Sequence, residues 1–241
     1  MNSYSDTQLT TCSIMPKLNW DGIREELCLE GYAVIKNFLD EDASNYLSNL
    51  EAHNSINRDM FFELDLGKQN LMIDLPVQMK PLDNIIKDMY NHLRPTVQLW
   101  SEQLNSQVLN QHSLDDISET ELKNGPKNIL ARISHLKSND FIALHQHPDK
   151  DLIFPLQIEI LLSTPGKDFT GGEFIMIEQR PRMQSRPIVV QLGFKDAVVF
   201  SASKRPVLGS KHVYQVNMRH AISRIISGER KGLEISFYND D

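Results

Sequence analysis

A chain of 241 residues with 40% apolar but only 7% aromatic side chains, eleven glycines and eleven prolines has the makeup of a globular fold, not of a disordered or collagen-like one. Its 25 Lys and Arg against 32 Asp and Glu leave a net charge of −7, which argues against an affinity built on neutralising phosphates. Two cysteines exclude a disulfide scaffold or a cysteine-rich zinc site, and no apolar run reaches the ~20 residues of a membrane span.

Residues 1–18 are polar and rich in Ser and Thr, which predicts a flexible tail. They lack the basic-then-apolar pattern of a secretory signal, so the expected compartment is the cytoplasm. Trp20 to Leu27 carries a helical pattern, and Gly31 to Leu39 reads as a strand introduced by a glycine turn. Asp40 stands where an N-cap belongs, with Glu41 and Asp42 in the first turn of a second helix. A further helix starts near Asp83, and Pro95 is expected to kink or divide it before Val97 to Leu104. His53 and His92 fall in these helix patterns and read as surface residues, and residues 105–127 read as a polar surface excursion.

After Pro126 the pattern changes. Ile129 to Ile133, Phe141 to Leu144, Phe154 to Leu162, Glu173 to Ile177, Ile188 to Leu192, Ala197 to Phe200, Val213 to Val216 and Leu233 to Phe237 are short β-prone segments separated by turn residues. Such a series predicts an antiparallel sandwich or barrel such as a jelly roll, with the helical first half packed outside it. Residues 19–241 read as one domain, mainly helical over 19–127 and β over 128–241. Gly171-Gly172 reads as a hairpin turn feeding the strand Glu173 to Ile177.

The eight histidines outnumber the tyrosines, and three carry the candidate chemistry. In Leu144-His145-Gln146-His147-Pro148-Asp149, residues two apart on an extended chain point the same way, so His145, His147 and Asp149 share a face. His220 lies 75 residues after His145 and supplies a distant imidazole. Two neighbouring ligands plus a distant histidine form the facial set that leaves positions open on a non-haem Fe(II). Arg230, ten residues after His220, is suited to grip the far carboxylate of a dicarboxylate whose keto-acid end chelates the iron. His212 is a rival distal ligand, but no basic residue stands ten positions beyond it.

On these residues the segment from Asn128 onward resembles the Fe(II)/2-oxoglutarate-dependent dioxygenase superfamily, in which a double-stranded β-helix carries His-x-Asp/Glu, a distal His and a later Arg or Lys. Four ordered blocks narrow the resemblance to a bacterial family of largely uncharacterised 2-oxoglutarate/Fe(II) oxygenases: Phe154-Pro155-Leu156-Gln157, Asp168 to Phe174, Glu178 to Arg186, and Arg219-His220 with Ser223-Arg224. The resemblance implies a jelly-roll, cupin-like oxidoreductase that uses Fe(II), O2 and 2-oxoglutarate to oxidise a C–H bond, releasing succinate and CO2. Relatives read Leu-His-Gln-Asp where this chain has Leu144-His145-Gln146-His147, so a histidine replaces the carboxylate ligand. Three solutions are open: His147 coordinates; the motif slips to His147-Pro148-Asp149; or Asp149 reaches back to a metal held by His145. The first needs no gap and gives His145, His147 and His220 as the metal set, with Asp149 as the alternative third ligand.

Arg180, Arg182 and Arg186 crowd one short block, and together with Arg224 they offer groups for a substrate carboxylate; His135 is a further candidate for the pocket wall. Arg219 alternates with His220 and should face the other way. A small anionic substrate fits these arginines and the acidic balance better than nucleic acid does. Hydroxylation, desaturation, cyclisation and halogenation remain open as outcomes. The alternatives are a three-histidine iron dioxygenase that does not use 2-oxoglutarate and a non-catalytic small-molecule-binding barrel.

Overall fold

A computed structural model describes residues 18–50, 71–75, 82–104, 129–147, 154–210 and 212–237. Asp149, His53, the tail before Leu18 and the 105–127 segment lie outside these residues. Helix α1 (Trp20–Glu30) starts where the Asn19 side chain accepts from the backbone N–H of Gly22 at 3.1 Å, and it ends on Gly31 at φ 81°. Strand β1 (Tyr32–Ile35) follows, then α2 (Glu41–Ser48), whose N-cap is Asp40 as expected, accepting from Ala43 N–H at 2.7 Å. Strand β2 (Leu71–Asp74) leads to α3 (Leu82–Leu104).

Pro95 does not divide α3, which runs through it as one helix. Proline removes one hydrogen bond to the carbonyl four residues back. Both Pro95 and Asn91 are exposed, so water can satisfy that carbonyl. His92 is not a plain surface residue: it is half-buried and stacks on Trp20, ring centroids 4.2 Å apart, joining α3 to α1. No helix among the described residues is long and apolar enough to cross a membrane.

The rest is antiparallel β-structure: β3 (Ile129–Lys137), β4 (Ile142–His145), β5 (Leu156–Leu161), β6 (Phe169–Gly171), β7 (Phe174–Gln179), β8 (Arg186–Val190), β9 (Ala197–Ser201), β10 (Lys204–Leu208), β11 (Val213–Ile222) and β12 (Ile225–Phe237). One sheet has the order β1-β9-β5-β12-β3-β2 with β6 on β12; the other has β10-β11-β7-β8 with β4 on β11. All eight expected segments are found. Strands β2, β6 and β10 had no counterpart in the sequence reading, and β11 and β12 run longer than expected.

The outer face of the larger sheet, with Ile133, Ile158, Ile160, Val199 and Ile235, packs on Leu27, Leu47, Ile85, Met89 and Trp100 of the helices. Its inner face joins a second core between the sheets, containing Leu136, Leu161, Phe174, Met176, Val198, Phe200 and Met218. This is the jelly roll with helices outside. Burying residues such as Leu47, Ile158 and Phe237 contributes roughly 1.5–3 kcal/mol each.

Gly171-Gly172 does not close a hairpin. Strand β6 pairs with β12 in the larger sheet whereas β7 pairs with β11 and β8 in the smaller one, so the two glycines (φ 73° and 67°) carry the chain across the corner between sheets.

Candidate functional site

Three imidazoles meet at one end of the barrel interior. On β11 the even-numbered residues Val216, Met218, His220 and Ile222 face inward, and Arg219 is exposed on the opposite side as alternation requires. Strand β4 pairs antiparallel with β11 in a register that sets His145 directly against His220. His147 follows β4, where its backbone N–H donates to Ala202 O at 3.2 Å and Gln146 donates to Ser203 Oγ at 2.9 Å, which ties this end of the chain to the β9–β10 turn.

Ring centroids lie 4.1 Å apart for His145 and His220, 5.4 Å for His145 and His147, and 5.7 Å for His147 and His220. One nitrogen from each ring lies within 4.8 Å of the others, close enough to hold a metal ion. His145 Nδ1 lies 2.9 Å from Ala143 O; a carbonyl only accepts, so Nδ1 is the donor and Nε2 is the nitrogen left for a metal. His220 is 6% exposed, and its Nδ1 has no hydrogen-bond partner among the described residues. Burial, with His145 and His147 adding to it, pushes its pKa well below the usual histidine value, so the ring is neutral and ready to donate a lone pair. Phe174, parallel at 6.1 Å, and Phe200, at 4.7 Å, pack against it and keep water away.

Arg230 points into the same interior. Its register partner on β3 is Leu136, which belongs to the inner core, so Arg230 shares that face. It is 1% exposed; Nε donates to Gly172 O at 3.1 Å and Nη2 to Glu159 Oε1 at 2.9 Å, while Nη1 has no partner among the described residues. Arg230, Leu161, Phe169, Phe174, Val190 and Leu192 line a cavity of about 260 Å³. The histidines do not line that cavity. Phe174 is the shared wall, since it faces the cavity and also stacks on His220.

The remaining candidates fall into two groups. Arg180 Nε meets Glu178 Oε1 at 2.6 Å, and Arg186 Nη1 lies 3.6 Å from the same oxygen. Glu178 faces inward two residues along β7 from Met176, the register partner of His220, so this arginine cluster borders the histidines. Arg182 (φ 60°) and Arg224 are exposed, in the β7–β8 and β11–β12 turns, and neither lines the cavity. His135 is not on the pocket wall: its register partner is Lys231, on the outer face, and its Nε2 pairs with Glu229 at 2.7 Å.

Three interior polar residues were given no role in the sequence reading. Arg205, 1% exposed, pairs with Glu178 and donates to Cys28 O at 3.2 Å. Gln157 is fully buried opposite Phe200, with neither amide atom partnered among the described residues, and Glu159 is buried opposite Val198. Their signal was the alternation of polar Gln157 and Glu159 with Leu156, Ile158 and Ile160, which in an open sheet marks a solvent face. Here both faces of β5 are buried, so the polar face is the barrel lumen.

Residues 72–240 match the Oxygenase-NA family, described as an oxygenase catalysing oxidative methylation of damaged DNA. An uncharacterized protein of Mycobacterium tuberculosis is 37% identical over 163 residues, spanning 66% of this chain and 70% of that protein. Among solved structures, a Pseudomonas putida prolyl-4-hydroxylase superposes with a TM-score of 0.55 at 13% identity, covering 92% of this chain and 100% of its own. An oxidoreductase of the 2OG-Fe(II) oxygenase family from Burkholderia pseudomallei gives 0.51 at 14% identity, covering 92% and 91%. At such identities the two structures speak for a shared fold.

Proposed function

The chain belongs to the Oxygenase-NA family and is an oxidoreductase with the 2-oxoglutarate/Fe(II) oxygenase fold, and on that premise we propose that it oxidises a C–H bond of an anionic substrate at iron held by His145, His147 and His220. Fe(II), 2-oxoglutarate and O2 are the cofactor and co-substrates that the family and fold imply. The observation that carries the reading is the meeting of the three imidazoles, with a buried His220 Nδ1 and an Arg230 Nη1 in the same interior that have no partner among the described residues. A donor set of three imidazoles fits Fe(II), and a buried guanidinium edge fits the distal carboxylate of 2-oxoglutarate.

When bound, these groups supply a two-electron oxidation that yields succinate and CO2, with one oxygen atom entering the substrate. The protein supplies position and a dry interior. Ala143 O orients His145, Phe174 and Phe200 shield His220, and Gly172 and Glu159 orient Arg230. His147 in place of a carboxylate leaves the metal one charge more positive, which favours anionic ligands. Arg180, Arg186 and Arg205 surround the single carboxylate of Glu178, so this cluster carries excess positive charge.

The helices share the outer core of the larger sheet, which supports a single catalytic domain over residues 19–241. The family description supports a second reading, a nucleic-acid substrate held by its phosphates, and the exposed Arg182 in the β7–β8 turn and Arg186 at the start of β8 favour it. The net charge of −7 weighs toward a small anion.

The test is succinate release by the iron-loaded protein under O2, with a panel of small carboxylates and phosphates against alkylated single-stranded DNA. Stimulation by a small anion supports the first reading and stimulation by DNA the second. Substrate oxidation without succinate moves the protein to the three-histidine dioxygenases, and failure to retain iron overturns the proposal.

A further inference from the structure

Arg230, the residue proposed to anchor 2-oxoglutarate, already has a carboxylate of its own. Glu159 Oε1 accepts from Nη2 at 2.9 Å, and both side chains are buried, at 1% and 7% exposed. The backbone is shaped around this pair. A Cβ on Gly232 would collide with Glu159 Oε1 and lie 2.8 Å from Arg230 Nη1, and one on Gly172 would lie 3.1 Å from Arg230 Cδ. Glycine at both positions makes room for the pair, so it is a built part of the interior.

This arrangement leaves Arg230 only part of its fork. Nε is taken by Gly172 O and Nη2 by Glu159, while Nη1 has no partner among the described residues. An incoming carboxylate on Nη1 therefore puts two carboxylates around one guanidinium, away from water. Repulsion between the two is strong in such a setting, and one of them must take a proton.

The surroundings point to Glu159 as the acceptor. Facing it are Val198 on β9 and, on β12, Arg230 and Glu234, the register partner of Glu159, whose own register partner on β3 is Arg132. Burial pushes its carboxyl above the ordinary glutamate value; Arg230 opposes that rise and Glu234 adds to it.

We propose that Glu159 is a positioning residue for the co-substrate: it holds the Arg230 guanidinium with Nη1 free for the incoming anion and takes up one proton from solvent as the dicarboxylate binds. The bound state is then one guanidinium between a ligand carboxylate and a carboxylic acid, with no net charge gained beyond the ligand and its proton. This rests on the reading of Arg230 as the anchor for 2-oxoglutarate.

Calorimetric titration of the protein loaded with Mn(II), in buffers of different ionisation heat between about pH 6 and 9, counts the protons. The expected result is uptake of about one proton, with 2-oxoglutarate affinity falling toward tenfold per pH unit at the upper end. Glu159→Gln mimics the protonated acid, so it should bind with a flat pH profile, no uptake, and more tightly than wild type at high pH. Binding by wild type without proton uptake, or uptake retained in Glu159→Gln, overturns the proposal. Should Glu159→Gln fail to fold, the wild-type proton count alone decides. No 2-oxoglutarate binding by the Mn(II)-loaded wild type at any pH instead overturns the anchor reading itself.

Discussion

His145 and His220 face each other in the β4–β11 ladder with ring centroids 4.1 Å apart, so strand register, rather than a loop, sets two of the three imidazoles. A ladder is stiffer than a loop, and the third imidazole is held by the His147 N–H on Ala202 O. Removing His220 should therefore leave the other two near their places but too few to retain the metal. His220→Ala is expected to lower Fe(II) affinity by more than about 100-fold, beyond the loss typical of an outer-shell change. Metal content after desalting measures it, and a wild-type content in the variant would remove His220 from the proposed ligand set.

The charge at the proposed centre can be reset at His147. His147→Asp returns a carboxylate and lowers the positive charge of the loaded site by one, so 2-oxoglutarate affinity should fall by about tenfold while iron is kept. His147→Ala should weaken iron binding itself. Unchanged iron binding in His147→Ala would mean that this residue is not a ligand.

Arg230→Ala separates anchoring from stability. It should sharply raise the 2-oxoglutarate requirement with iron still bound, and it should destabilise the fold by about 3–5 kcal/mol at neutral pH, because Glu159 is left buried without its partner. A glutamate whose folded-state pKa is raised adds stability that is present below its unfolded value and is lost as pH rises through the folded value. The destabilisation in Arg230→Ala should thus shrink on acidification and grow on alkalinisation. Urea denaturation as a function of pH tests this, and adding Glu159→Gln should restore most of the stability without restoring 2-oxoglutarate binding.

Glu178 titrates in the opposite sense. Burial raises its carboxyl, but the hydrogen bonds and positive charges of Arg180 and Arg205 together outweigh burial and hold it below the ordinary glutamate range. Its contribution is present above the unfolded value and lost as pH falls through the folded value, so the window lies below about pH 4.5. Glu178→Gln, which leaves Arg205 buried without its counter-ion, should cost about 3–5 kcal/mol near neutral pH. Melting temperatures of variant and wild type should converge in acid, and a constant gap would contradict the assignment.

Gln157 offers a test without ligand. Its fully buried amide has no partner among the described residues, which costs about 1–3 kcal/mol. Gln157→Met should therefore raise the melting temperature of the ligand-free protein, and a fall would mean that the amide is satisfied.

Much of this protein was legible in its residues taken in order. The Asp40 cap and the strand series from Ile129 to Phe237 follow from local pattern, because caps, turns and period-two alternation act over a few residues, whereas His145, His147, His220 and Arg230 were singled out by spacing and family resemblance, and the fold brings the three imidazoles together. What only the tertiary structure decided is which way an alternating face turns and what meets it across the chain. Period two gives two faces without saying which is inside, so His135 turned outward while Gln157 and Glu159 turned into the lumen. The glycine pair that reads as a hairpin spans two sheets because β6 found β12, more than fifty residues away. The same long-range pairing brought β5 beside β12 and gave Arg230 a buried carboxylate that no spacing announces.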